Sequence, residues 1–218
     1  MSHFVGLVFG SNIEELLEPY NESMEVEQYV RYTKDEAVDK VKEIHAANYE
    51  YAVEVVEKYK NPATDWERGQ LKQANETLDK GLTISYEEAW EEAKKWGYEI
   101  DDEENLLSTY NPDSKWDWYC EGGRWGFWLL LKEQGQDGEP LTEICAQKKD
   151  IDWDAMFEKD RVPFCFVTEL GDWHESASIG WWAITTNEKD ENDWINEFKD
   201  YLDTVSEDTF ITVIDFHI

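Results

Sequence analysis

The densest run of chemically versatile residues is Tyr110-Asn111-Pro112-Asp113-Ser114-Lys115-Trp116-Asp117-Trp118-Tyr119-Cys120-Glu121-Gly122-Gly123-Arg124-Trp125. Asn-Pro opens a turn, and Gly122-Gly123 permits backbone conformations closed to residues with a side chain. Lys115, Trp116, Trp118, Tyr119, Arg124 and Trp125 are therefore candidate ligand- or partner-binding residues. Aromatics around Arg124 would sandwich a flat ligand or hold the guanidinium over a ring face. The same residues also describe a loop pinned to a core by its aromatics, with Arg124 paired to one of many carboxylates. The GxxxxGK[ST] pattern of a phosphate loop does not occur here.

A second constellation comes from the two ends of the chain. If the first and last strands pair antiparallel, His3 comes to lie near Asp215 and His217. Asp215 and His217 share one strand face by the two-residue period. Two histidines and a carboxylate form a set able to bind a divalent metal; the alternative is two histidines that cap a sheet end. No other cofactor is indicated. His174, between Trp173 and Glu175, has the chemistry of an acid or base, though a lone histidine at a hairpin is more often structural. His45 falls within a helix and reads as a surface residue. No serine or cysteine has a nucleophile-elbow context, so no catalytic residue is assigned. Chance Asp/Glu pairs such as Asp152/Asp154 carry no glycosidase argument. The acidic run 99–104 contains Ile100 and does not match an EF-hand loop. In Gly180-Trp181-Trp182 a strand would send the two rings to opposite faces, which makes Trp181 a further candidate for recognition.

Bulk composition narrows the function classes. The 218 residues include 51 Asp+Glu against 20 Lys+Arg, a formal net charge of -31. Residues 1–100 carry 22 acidic and 11 basic side chains and residues 101–218 carry 29 and 9, so the excess is not an appended tail. The 12 Trp, 11 Tyr and 9 Phe set the chain apart from disordered acidic sequences, which have few aromatics. Such a field repels phosphate backbones and anionic membranes and favours basic protein surfaces and cations. Cys120, Cys145 and Cys165 show no CxxC spacing and leave one over, which argues against a disulfide framework. The opening MSHFVGLVFG lacks a basic n-region, and no stretch reaches the roughly 18 apolar residues of a membrane span. A reducing cytosol is the expected compartment.

The elements that must position these residues follow from periodicity and punctuation. His3 to Phe9 reads as a buried strand ended by Gly10-Ser11-Asn12, with a short helix over 13–20. Capping-box patterns at Thr33/Glu36, Thr64/Glu67 and Ser85/Glu88 open three helices. The first runs through Val38, Val41, Ile44, Ala52 and Val55 to a stop before Asn61-Pro62. The others end near Gly81 and Gly97. Strands are expected over 126–132, 164–169, 173–176 and 181–186, with a hairpin through Leu170-Gly171-Asp172. Short helices fit 152–160 and 192–202, and a final strand fits 209–218. The fold class is α+β: a mostly antiparallel sheet that includes both chain termini, with helices on one face. The helical stretch 33–97 is an insertion or subdomain within what reads as one domain of 218 residues.

The chain resembles a family of uncharacterised proteins from phages, prophages and plasmids. The resemblance is carried by Met1-Ser2-His3-Phe4-Val5, the SKWDWY and GGRW portions of 111–125, Gly180-Trp181-Trp182 and the closing residues 213–218. It departs at Glu121, where the family has an aliphatic residue. What it implies is origin: an accessory protein of a mobile element acting inside a bacterial cell. Joined to the charge, this gives an expected function. The protein would bind and inhibit a host protein with a basic surface, such as one that handles nucleic acid, by imitating phosphate charge. The rival is a small-molecule or enzymatic domain with a Trp/Arg pocket over 115–128.

Overall fold

The computed structural model describes residues 3–136, 138–179 and 185–218. In chain order it begins with strand β1 (His3–Phe9), helix α1 (Ile13–Leu17) and strand β2 (Glu25–Tyr32). Helices α2 (Lys34–Lys58), α3 (Asp65–Asp79) and α4 (Tyr86–Ala93) follow. Then come strands β3 (Glu99–Ile100), β4 (Leu106–Tyr110), β5 (Trp118–Glu121), β6 (Leu129–Gln134), β7 (Pro140–Glu143) and β8 (Cys145–Gln147). The chain continues with helix α5 (Trp153–Glu158) and strands β9 (Cys165–Val167), β10 (Trp173–Glu175), β11 (Ser178–Ile179) and β12 (Thr185–Thr186). Helix α6 (Glu191–Thr204) and strand β13 (Phe210–His217) complete it. The fold is α+β, with mostly antiparallel sheets and a strand at each end. Two compact units emerge, one of residues 1–25 and 110–218, the other of residues 26–109.

The unit of residues 26–109 is mainly helical because its sequence starts each helix chemically. The side chains of Thr33, Thr64 and Ser85 each accept from the third helical N–H, while Glu36, Glu67 and Glu88 reach back to the cap backbone. These bonds hold all three glutamates below the usual carboxylate range. Gly81 and Gly97 stop the second and third helices with φ of 84° and 85°, a region costly for residues with a Cβ. Ala37, Val38 and Val41 of α2 pack against Ala89, Trp90 and Ala93 of α4 and Leu106 of β4. Strand β2, missed from sequence, joins β4 and β3 in a three-stranded sheet. Its EVEQYVRY sequence leaves no residue buried, so it shows no apolar alternation to read.

The other unit is organised by β1 and β13. They pair antiparallel from His3↔His217 to Phe9↔Ile211, inside a six-stranded sheet of order β10-β9-β1-β13-β5, with β8 also on β13. Among the described residues only β1 and β9 run parallel in this sheet. Both faces are covered. Leu7, Phe9, Ile211 and Val213 face a core with Met156 of α5 and Trp194, Phe198 and Leu202 of α6. Phe4, Val8, Ile214 and Phe216 face a second core with Leu17 of α1, Trp116, Cys165 and Val167. This two-sided burial explains why residues 211–217 are all buried, the polar Thr212, Asp215 and His217 included. The expected hairpin forms between β9 and β10. The expected strand over 126–132 begins instead at Leu129, after a 3-10 turn at Gly123–Trp125. The strand expected over 181–186 is described only at β12, and 180–184, with Trp181, lie outside the described residues.

Gly6 marks the tightest point of this sheet. A Cβ there would lie 2.4 Å from Cε2 of Phe216 and 2.6 Å from Sγ of Cys165. Gly6→Ala therefore overpacks the second core, and we expect a loss of about 1–3 kcal/mol, read as a lower midpoint in denaturant. Unchanged stability would mean that Phe216 does not lie across Gly6.

Candidate functional site

Two clusters flank strand β5, one on each face of the sheet. Trp118 and Cys120 face the side of His217 and Asp215, their register partners, and Tyr119 faces the side of Phe216. The sequence segment read as a loop is thus partly a strand. Its Trp-Tyr-Cys alternation sends adjacent side chains to opposite surfaces.

On the Tyr119 side lies a depression of about 380 Å³ lined by Asn12, Glu14, Glu15, Glu18, Asn21, Trp116 and Tyr119. Its acidic wall comes from α1 and the 3-10 turn after it, where Glu14, Glu15 and Glu18 are exposed while Leu17 is buried. Trp116 and Tyr119 meet edge to face at 5.0 Å. The two walls are fastened together by Asn111. Its Nδ2 donates to the carbonyls of Pro19 at 2.7 Å and Asn21 at 3.1 Å, and its Oδ1 accepts from Asp113 N–H at 3.0 Å. Backbone bonds from Lys115 to Tyr20 and from Glu22 to Trp116, each 2.8 Å, complete the seam. Burial, then Glu14 and Glu121, push the Tyr119 hydroxyl above its ordinary pKa. Three exposed carboxylates thus lie beside the half-buried Tyr119 ring and the small exposed part of Trp116, which is 6% exposed.

On the other face, His3 and His217 each hold a carboxylate. Nδ1–H of His3 donates to Oδ1 of Asp215 at 2.8 Å, and Nδ1–H of His217 donates to Oδ1 of Asp117 at 2.6 Å. An ionised carboxylate only accepts, so the proton sits on Nδ1 in both rings. The second oxygen of Asp215 accepts the backbone N–H of Arg124 at 3.0 Å. Gly123, at φ 48°, allows that approach, because a Cβ there would lie 2.5 Å from Oδ2 of Asp215. The Gly-Gly-Arg turn exists to seat a main-chain donor on a buried carboxylate. The His3 and His217 rings lie 5.0 Å apart, and Trp118 stacks on His217 at 5.2 Å.

The structure separates most of the residues that sequence grouped. Lys115 pairs with Glu175 at 2.8 Å, a carboxylate that also accepts from Trp173 Nε1 and Ser178 Oγ. Trp116 is buried in the second core and Trp125 packs against the first, so they do not sandwich a ligand with Arg124. Arg124 contributes its backbone, and its side chain is exposed. His3, Asp215 and His217 do come together. Because both Asp215 oxygens are engaged, however, that carboxylate orients rather than offers a free donor. Among the described residues no group of three His, Cys, Asp or Glu is placed to hold a metal ion. His174 stacks on Phe166 at 4.5 Å and bonds Glu197. Burial would raise the Glu197 carboxyl, but Lys189 and His174 hold it below its usual range. His45 bonds the carbonyl of Gly81. Burial, then Glu175, push the Cys165 thiol well up, which leaves it protonated and inert. Glu14, Glu15, Glu18 and Asn111 were missed as site residues. The signal available for them was five glutamates and no Lys or Arg in residues 1–25. Comparison with protein-family models, curated proteins and solved structures finds no match.

Asn111 is 1% exposed, and its removal leaves two carbonyls without their donor. Asn111→Ala should cost about 1–3 kcal/mol and free the glutamate wall from Trp116, seen as faster amide exchange over residues 19–22. A variant as stable and as protected as the parent would contradict this role for Asn111.

Proposed function

We propose that the protein is a binding protein for a basic surface on another protein, and that the Glu14-Glu15-Glu18-Trp116-Tyr119 depression receives an Arg or Lys side chain of that partner. The observation that carries the reading is this pairing of aromatic walls with uncompensated carboxylates. A cation over a Trp or Tyr face gains about 0.5–2 kcal/mol as it is desolvated, and the adjacent glutamates select its sign. The wider charge distribution supports the same polarity. Residues 26–109 hold 21 acidic and 11 basic side chains, a net of -10, whereas 1–25 with 110–218 hold 30 and 9, a net of -21. Helix α6 adds exposed Glu191, Asp193, Asp200 and Asp203 on its outer side. Such a field speeds encounter with a basic partner and makes it salt-sensitive.

The resemblance to mobile-element proteins extends the proposal. The partner would be a host nucleic-acid-binding protein, engaged in the bacterial cytoplasm through the surface that otherwise meets phosphates. A flat-ligand pocket around Arg124 has less support, because Trp116 and Trp125 belong to different cores. A groove of about 500 Å³ within residues 26–109 is lined by Lys80 and Lys95 as well as Glu88 and Glu92, so it favours neither sign of charge.

The test is titration of a fluorescent arginine-rich peptide at low and high salt. We expect salt-dependent binding that weakens about tenfold, or about 1.4 kcal/mol, in the triple variant Glu14→Gln, Glu15→Gln, Glu18→Gln. All three sites are exposed, so folding is spared. Equal binding by parent and variant would overturn the assignment of this depression.

A further inference from the structure

We infer that His3 and His217 form a binding site for a single divalent transition-metal ion of zinc type, held by their two Nε2 atoms with Asp215 and Asp117 as the outer shell. Three independent observations converge. Nε2 of His217 is buried without a hydrogen-bond partner among the described residues, in a residue only 6% exposed. A buried polar nitrogen left unpaired costs about 1–3 kcal/mol, and such an atom calls for an explanation such as an ion.

Next, both rings carry the mark of metal-binding histidines. Each donates Nδ1–H to a carboxylate, at 2.8 Å for His3 with Asp215 and 2.6 Å for His217 with Asp117. That arrangement fixes the tautomer with the Nε2 lone pair available and fixes the ring's orientation. The Asp215 carboxylate is itself fixed by Arg124 N–H, through a turn that only glycine at 123 allows. The chain invests a strained turn in orienting one imidazole.

Finally, the spacing fits. An imidazole nitrogen binds zinc at about 2.0–2.1 Å, which puts the ring centroid about 3.2 Å from the ion and two rings on one tetrahedral ion about 5 Å apart. The His3 and His217 centroids are 5.0 Å apart at 71°. No third His, Cys, Asp or Glu joins them among the described residues, so the two imidazoles are the protein's donor set for the ion. The donor chemistry selects as well. Two imidazoles suit zinc or cobalt, whereas calcium and magnesium want oxygen ligands, and three of the four carboxylate oxygens here already accept hydrogen bonds.

The experiment is Zn²⁺ titration of the tag-free protein in excess Mg²⁺, which saturates the acidic surface. It is followed by calorimetry and by long-range ¹⁵N–¹H correlation of the histidine rings. We expect one zinc per chain, with Nε2 of His3 and His217 shifting while His45 and His174 stay in place. His3→Gln should weaken binding at least about tenfold, and Asp117→Ala by about tenfold through the lost orienting bond. The Glu14/Glu15/Glu18 glutamine variant should bind zinc like the parent, which separates this site from the proposed partner surface. If zinc leaves the His3 and His217 resonances unmoved, or if Mg²⁺ displaces it, the inference is wrong. That spectrum of the parent decides the matter even where a variant fails to fold.

Discussion

The pairing of β1 with β13 is the constraint on which the larger unit depends. Seven register partners, from His3↔His217 to Phe9↔Ile211, join segments more than 200 residues apart in sequence, at the cost of closing a very long loop. The gain is a sheet centre buried on both faces, with β9 added parallel to β1 and β5 and β8 added to β13. Gly6 lets the Phe216 ring lie flat across the pair. Everything with candidate chemistry hangs from this pairing. The two histidines face each other because His3 and His217 are register partners, and β5 carries Trp118 to their side and Tyr119 to the other.

Charge is the second constraint, and the two units meet it differently. In residues 26–109, basic side chains sit one helical turn from acidic ones, as in Lys40–Glu43, Lys60–Glu57, Arg68–Asp65, Lys94–Glu91 and Lys95–Glu92. Each exposed pair is worth little alone, but together they hold local repulsion down. The unit built on β1 and β13 has 9 basic side chains for 30 acidic ones, and ion pairs there engage only a minority of the carboxylates among the described residues. Self-repulsion at that level destabilises a compact state. Residues 26–109, with 21 acidic and 11 basic side chains, bear less of this repulsion.

Much of the fold was legible because the relevant physics is local. Each capping box is a four-residue pattern whose two hydrogen bonds depend on nothing distant, and all three formed. The terminal strands followed from the apolar run of residues 3–9 and the β-branched and aromatic residues of 209–218. Strand β2 was hidden because its residues lie on a half-solvated sheet with no alternation to betray them. In the 110–125 segment, sequence recognised unusual residues but not their directions. A strand's alternation divides Trp118 from Tyr119, and a single turn converts Arg124 from a side-chain ligand into a backbone donor. The His3, Asp215 and His217 grouping was accessible from register alone, yet the engagement of both Asp215 oxygens was visible only through the bond from Arg124 N–H. The glutamate wall escaped notice because its opposite wall, Trp116 and Tyr119, is about a hundred residues away and is joined to it through Asn111.

The central claim is that the Glu14-Glu15-Glu18-Trp116-Tyr119 depression recognises cationic side chains of a partner. The most direct measurement is the indole N–H resonance of Trp116 and the ring resonances of Tyr119 during titration with an arginine-rich peptide. The account predicts that both shift in step with binding and return when salt releases the peptide. Binding that leaves both unmoved, with shifts confined to α6 or to residues 26–109, would contradict it.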